Sequence, residues 1–392
     1  MGSIFSDRIT DVPKSFIREI LKVTNEKDII SFAGGLPNRK LFPVEELKKA
    51  TLKVFENEGR DALQYNTSEG DLGLRKWIVE RYSKNQNIDI TPENIIITTG
   101  SQQGLDLLGK TILNENDNLI IEEPGYLGAI QAFSLYRPRF HPVPVNENGM
   151  NLEVLKQVIE NNRVKLCYTV PNFQNPSGIT YTDENREQVA NIIGNTDTIL
   201  IEDNPYGDLR FKGSAKKSFF TFMPKNTVLL GSFSKTIVPS FRIGWLVADE
   251  SLIEKLIIAK QASDLHTNYF CQKVICHFLE DADIDAHIRK ITESYGKQRD
   301  SMVQAIRKYF PDSVQFTQPE GGMFLWVSLP AHISAIDLFH KAVAEKIAFV
   351  PGDPFYINKT NVNTLRLNYS CVDEETIEKG IRIMGKVLQD FI

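Results

Sequence analysis

The chain has 392 residues, 45 Lys and Arg against 50 Asp and Glu, a formal net charge of −5, and is 42% hydrophobic and 24% charged. That length exceeds what one small core needs, and the composition is that of a folded globular protein, which excludes a disordered chain. No basic block stands out and no run approaches the ~18 apolar residues of a membrane span, so neither nucleic acid nor a membrane is an expected partner.

Four cysteines (Cys167, Cys271, Cys276, Cys371) are scattered without a C-x-x-C pair, and six histidines show no ligand spacing. No metal site is expected, and the thiols suit a reducing cytoplasm. The first fourteen residues are polar and mixed in charge, with no apolar signal core.

Taken in order, residues 1–30 read as an arm and one amphipathic helix. Phe16, Ile17, Ile20, Leu21 and Val23 share a face, with Arg18, Glu19 and Lys22 away from it. A short strand then runs into Gly34-Gly35-Leu36-Pro37. Helices are expected over 45–58 and 72–85, separated by the loop Leu63-Gln64-Tyr65-Asn66 and Ser68-Glu69-Gly70. A series of apolar strands follows at 94–99, 119–123, 164–170, 198–201 and 228–233. Helical segments lie between several of them, such as 152–161 and 183–193, which indicates a largely parallel sheet covered on both faces. The pattern turns helical over 251–307. It then changes to strand-like segments at 322–327 and 364–369, with helices at 334–345 and 374–391. Three regions are expected: an arm over 1–40 that joins the smaller unit and covers the site, a large domain over 41–295, and a small α+β domain over 296–392.

The rest is organised around Val228-Leu229-Leu230-Gly231-Ser232-Phe233-Ser234-Lys235, with Arg242 further on. A lysine at the mouth of a buried strand is poorly solvated, and desolvation favours its neutral amine, which can form a Schiff base with an aldehyde. Ser232, Ser234 and Arg242 are the donors a phosphate ester needs beside it. An aldehyde carrying a phosphate describes pyridoxal phosphate.

The other strand ends agree with that cofactor, since ligands sit at the carboxyl ends of open parallel sheets. Gly100-Ser101-Gln102 opens a helix whose amides suit a phosphate, while G-x-G-x-x-G and G-x-x-x-x-G-K-[ST] are both absent, which disfavours a nucleotide fold. Asp203 follows a buried strand and needs a partner, which a protonated pyridine nitrogen supplies. Asn175 and Tyr206 can both donate to the ring's phenolic oxygen, and Tyr126 can lie against the ring. Arg366, on an apolar strand, suits a substrate α-carboxylate. Taken singly, each has a structural explanation: a cap for Asp203, a turn for Asn175, core packing for Tyr126, an ion pair for Arg366. Their succession at strand ends, with Lys235 as the one well-placed nucleophile, favours a common site.

With these residues in view, the chain resembles the fold-type I pyridoxal-phosphate enzymes of the class I/II aminotransferase family, in the branch of 2-aminoadipate and kynurenine aminotransferases and the transferase-like half of certain GntR-type regulators. The matching strings run in order along nearly the whole chain. They are Ser31-Phe32-Ala33-Gly34-Gly35-Leu36-Pro37, Tyr65-Asn66 with Gly70 to Arg75, Thr99-Gly100-Ser101-Gln102-Gln103-Gly104 and Glu123-Pro124-Gly125-Tyr126. Pro171-Asn172-Phe173-Gln174-Asn175-Pro176-Ser177-Gly178, Glu202-Asp203-Asn204-Pro205-Tyr206-Gly207 and Gly231-Ser232-Phe233-Ser234-Lys235 follow. Arg242-Ile243-Gly244-Trp245, Gly321-Gly322-Met323-Phe324-Leu325-Trp326 and Arg366-Leu367-Asn368 complete the set.

The resemblance implies an α/β fold with a mostly parallel, seven-stranded type of sheet in the large domain, and it implies roles. Lys235 forms the Schiff base and shuttles the proton, Asp203 pairs with the pyridine nitrogen, Asn175 and Tyr206 bond the ring oxygen, and Tyr126 stacks on the ring. Ser101, Gln102, Ser232, Ser234 and Arg242 hold the phosphate, and Tyr65 reaches it from a second subunit of a homodimer. Gly35 and Asn175 line the substrate pocket, Arg366 binds the carboxylate, and Arg18 faces the side-chain pocket. Too few residues precede Ser31 for a winged helix, so the regulator form is not expected. The implied reaction is ping-pong transfer of an amino group from an L-amino acid to a 2-oxo acid such as 2-oxoglutarate. A β-lyase or decarboxylase on the same cofactor, and a cofactor-binding sensor without turnover, are the alternatives. Acidic, aromatic and branched donors all remain open.

Overall fold

The structure, a computed structural model, describes residues 4–10 and 28–391. The helix expected around residues 16–23, and with it Arg18, lies outside the described residues.

The first strand, β1 (Ile30–Ser31), stands apart from the main sheet, which is built from eight strands. These are β2 (Ile95–Thr98), β3 (Asn118–Glu123), β4 (Arg139–Asn146), β5 (Gly149–Met150), β6 (Val164–Thr169), β7 (Ile199–Asp203), β8 (Thr227–Ser232) and β9 (Gly244–Val247). Their order across the sheet is β2-β9-β8-β7-β6-β3-β4-β5. The five strands from β4 to β8 in that order run parallel, and β9 lies antiparallel between β8 and β2. The central strands are apolar because both faces are covered. Side chains alternate between the faces: Leu119 and Ile121 enter one core cluster and Ile120 another, and Ile96 enters one while Ile95 and Ile97 enter a third.

The helices of this layer begin at polar caps. Asn151 accepts from the Val154 amide at 3.0 Å to start Leu152–Asn161, and Thr182 accepts from the Asn185 amide at 3.1 Å to start Asp183–Ile193. The helical region expected as one stretch over 251–307 is three helices, Glu250–Gln261, Tyr269–Asp281 and Ile284–Tyr309. Asn268 and Asp283 each cap a new start, which restarts the chain in a new direction. The division expected at 295/296 falls inside Ile284–Tyr309.

A second, antiparallel sheet orders β10 (Gln315–Phe316), β11 (Phe324–Ser328), β14 (Thr364–Asn368) and β13 (Val350–Pro351). Between them in sequence, β12 (Ile347–Ala348) pairs in parallel with β1, which fastens residues 30–31 to this unit. Helices Ile284–Tyr309 and Glu374–Gln389 pack on one another beside it. One apolar cluster runs from Leu119 and Ile201 of the main sheet to Phe324 and Leu365 of the small one, so the two sheets are joined through a continuous core. The carboxyl ends of β6, β7 and β8 face the junction.

Candidate active site

At those strand ends lies a cavity of about 270 Å³. Ser101, Gln102, Tyr126, Asn175, Asp203, Tyr206, Ser232, Ser234, Lys235 and Arg242 all line it. Five separate strand-to-loop junctions therefore converge, as the topology of a parallel sheet requires of residues placed just after its strands.

Asp203 ends β7 and is 2% exposed. Its Oδ2 accepts from the Tyr168 hydroxyl at 2.8 Å, while its buried Oδ1 has no partner. Burial, and secondarily the charge of Glu122, pushes this carboxyl up to about 7 against the donation from Tyr168. A buried carboxylate oxygen without a donor is costly, and a cationic N–H is the partner that relieves it.

Lys235 follows β8 and is half-buried, with Nζ donating to the Gly35 carbonyl at 2.8 Å. Burial, followed by the positive charges of Arg366 and Arg242, lowers its amine to about 8 despite the opposing effect of Cys371. Beside it the two serines form a small donor cluster. Ser232 Oγ donates to Ser234 Oγ at 2.9 Å, and Arg242 Nη1 donates to the same oxygen at 3.3 Å. Ser234 Oγ thus accepts twice and keeps its own proton free to donate into the cavity. Arg242 sits at φ 55° and Gly100 at φ 73°, and a Cβ on Gly100 would run into the Arg242 guanidinium. Gly244 lies under the start of helix Ser101–Ile112, where a Cβ would meet the Ser101 amide at 2.9 Å. Two glycines thus let a helix N-terminus, two hydroxyls and a guanidinium close on one point, which suits a phosphate. Gln102 lines the cavity, with its amide donating to the Gly128 carbonyl at 2.8 Å.

Arg366, on β14, is 3% exposed. It donates to Asn175 Oδ1 at 2.7 Å and to the Ala33 carbonyl at 2.8 Å, and its Nε is buried without a partner. Phe324 and Phe355 lie 4.2 Å and 5.3 Å from its guanidinium carbon. Among the described residues no carboxylate pairs with it, and burial lowers it to about 10, so it stays cationic at neutral pH. Asn175 also donates to Tyr206 Oη at 3.3 Å. One amide therefore links the guanidinium to the phenol on the cavity wall.

Three expected residues do not line this cavity: Arg366, which reaches its wall through Asn175, and Tyr65 and Gly35. Tyr65 is 78% exposed and meets the His266 ring edge-on at 5.7 Å. Gly35 stands behind Lys235, and a Cβ there would press on Phe324 at 3.3 Å. Sequence reading passed over Tyr168 and Glu122, both buried inside apolar strands. Glu122 accepts from Thr169 Oγ1 (2.6 Å), the Val170 amide (3.0 Å), Tyr181 (2.7 Å) and Gln174 (2.9 Å), and so joins the ends of β3 and β6. A charged residue inside an otherwise apolar run was the signal available for it.

The donor set fits pyridoxal phosphate on its own terms. An acid lacking a cationic partner, a desolvated lysine and a hydroxyl–guanidinium cradle lie around one cavity. Comparison with known proteins agrees. The family Aminotransferase class I and II matches residues 13–384. An aromatic-amino-acid aminotransferase of Thermococcus litoralis is 41% identical over 98% of this chain and 94% of its own. A 2-aminoadipate transaminase of Thermus thermophilus is 38% identical over 97% of this chain and 95% of its own. Among solved structures, a kynurenine aminotransferase of Pyrococcus horikoshii in complex with PMP superposes with a TM-score of 0.95 at 38% identity, covering 99% of this chain and 98% of that one. With its fold, its converging strand-end residues and matches along nearly its whole length, this chain belongs to the class I and II aminotransferases, in the branch of the 2-aminoadipate and kynurenine enzymes.

Proposed function

We propose that the protein moves an amino group from an L-amino acid to a 2-oxo acid, with 2-oxoglutarate as acceptor, using pyridoxal phosphate held at Lys235. The observation that carries this reading is the pairing, on one cavity, of a lysine amine lowered to about 8 with a buried carboxyl whose Oδ1 lacks a partner. When bound, pyridoxal phosphate supplies an aldehyde that condenses with amines and a protonated ring that accepts the electron pair released at the substrate's α-carbon.

The chain's residues then divide the work. Asp203 Oδ1 would pair with the ring nitrogen and keep it protonated. Asn175 and Tyr206 would donate to the phenolic oxygen, and Tyr126 would pack against the ring face. Ser101, Gln102, Ser232, Ser234 and Arg242 hold the phosphate. Arg366 grips the α-carboxylate with two parallel bonds, beside Gly35 and Asn175. Lys235 Nζ would be the base that takes the α-proton and returns it. Donor and acceptor use the same site in turn, which gives ping-pong kinetics.

The finer reading is of a cytoplasmic homodimer. The exposed Tyr65, beside exposed Leu63 and Leu265, supports a second chain covering this face and completing the phosphate site. Four unpaired cysteines support a reducing compartment. The division that goes with this reading is an arm over 1–40, whose Arg18 lies outside the described residues, a cofactor domain over 41–295 and a small domain over 296–392. The relatives' names support aromatic and 2-aminoadipate-like donors. The test is to incubate purified protein with pyridoxal phosphate, 2-oxoglutarate and a panel of acidic, aromatic and branched donors. Glutamate formation is expected with at least one donor; none across the panel contradicts the reading.

A further inference from the structure

The two oxygens of Asp203 are held differently. Oδ1 is buried without a partner, and Oδ2 accepts from Tyr168 at 2.8 Å. Tyr168 is fully buried on β6, its ring edge-on to Phe133 at 6.1 Å. Its placement follows from register. Tyr168 pairs with Ile201 on the neighbouring parallel strand, two residues before Asp203. Paired residues of parallel neighbours face the same side, and residues two apart on a strand do as well, so Tyr168 and Asp203 share a face. A long side chain reaches that diagonal neighbour. Among the described residues, the Tyr168 hydroxyl makes one hydrogen bond, the one to Asp203. A phenylalanine would fill the same space, so packing alone does not call for the oxygen.

We propose that Tyr168 is a positioning residue for transamination: its hydroxyl fixes the Asp203 carboxylate so that Oδ1 is presented to the ring nitrogen of the cofactor. This rests on the reading of Asp203 given above. The charge of Glu122 on β3 acts on the same carboxylate, and Tyr126 and Tyr206 line the cavity with it. Burial and Glu122 both favour its protonated form, which cannot hold a pyridinium, and the donation from Tyr168 opposes them. Without it, the carboxylate is free to turn and binds a proton more readily.

The test compares the wild-type holoenzyme with Tyr168→Phe and Asp203→Asn. In Tyr168→Phe, kcat should fall about tenfold at neutral pH, with KM for the amino donor changed less than about twofold. The acidic limb of the kcat profile should move to higher pH, and bound cofactor, followed by its absorbance, should leave several-fold faster on dilution. A purely structural role would lower the melting temperature and leave the acidic limb where it is. If Asp203→Asn is impaired while Tyr168→Phe matches wild type in kcat, acidic limb and cofactor release, the proposal for Tyr168 is wrong and the reading of Asp203 stands. If Asp203→Asn also matches wild type, both fall together.

Discussion

Replacing Asp203 with Asn in cofactor-stripped protein should stabilise the fold at alkaline pH and do little at acid pH. The native carboxyl, 2% exposed, is raised from 3.8 to about 7, with burial as the leading cause and Glu122 the second. A rise of about three pH units corresponds to about 4 kcal/mol. Because the folded state binds the proton more tightly than the unfolded one, the contribution of Asp203 is fully present below 3.8 and drains away as pH climbs through 7. Integrated from about pH 5 to about pH 8.5, the wild type should lose about 3 kcal/mol relative to Asp203→Asn, whose side chain does not titrate. Urea denaturation of both proteins at the two pH values gives this as a difference of differences, in which the pH response of all other groups cancels. Saturating pyridoxal phosphate at the higher pH should then stabilise the wild type more than the variant, since it supplies the cation that Oδ1 lacks. Parallel stability curves for the two proteins would refute the assignment of a strained acid to this position.

Three further outcomes are expected. Recombination of stripped protein with pyridoxal phosphate should speed up about tenfold per pH unit below the Lys235 value of about 8 and level off above it, since the neutral amine is the reactive form; a flat profile in stopped-flow absorbance would contradict this. Arg366→Lys should lower kcat/KM for the amino donor about a hundredfold, mostly through KM, because an ammonium cannot make the planar fork and leaves Asn175 Oδ1 or the Ala33 carbonyl without its donor. Unchanged steady-state constants would rule that role out. Gly100→Ala places a side chain at φ 73° and against the Arg242 guanidinium, so cofactor affinity measured by equilibrium dialysis should weaken about tenfold or more.

The sheet was legible where apolar runs were unbroken. Strands expected at 94–99, 119–123 and 164–170 fall within a residue or two of Ile95–Thr98, Asn118–Glu123 and Val164–Thr169. Arg139–Asn146 was not legible: it carries Pro142 and Pro144, which lack ladder donors, and most of its residues are not buried. It is tolerated because its far side pairs with only the two residues Gly149–Met150. Gly244–Val247 was also obscured, since Phe241-Arg242-Ile243 reads continuously into it and nothing local says that it turns antiparallel. In the site, residues just past strand ends were visible as polar breaks in apolar runs. Tyr168 lies inside its run, and its meaning depends on the register of a neighbouring strand, a relation between distant segments that local pattern does not encode. Tyr65 lies exposed beside His266, away from the cavity, and its neighbours in sequence carry no local pattern that says so.

Borohydride reduction of the holoenzyme, followed by digestion and peptide mapping by mass spectrometry, bears most directly on the chemistry assigned to this cavity. A phosphopyridoxyl group fixed to Lys235, in the peptide that follows Thr227–Ser232, is the expected result. Label on a different lysine, or on none, would contradict it.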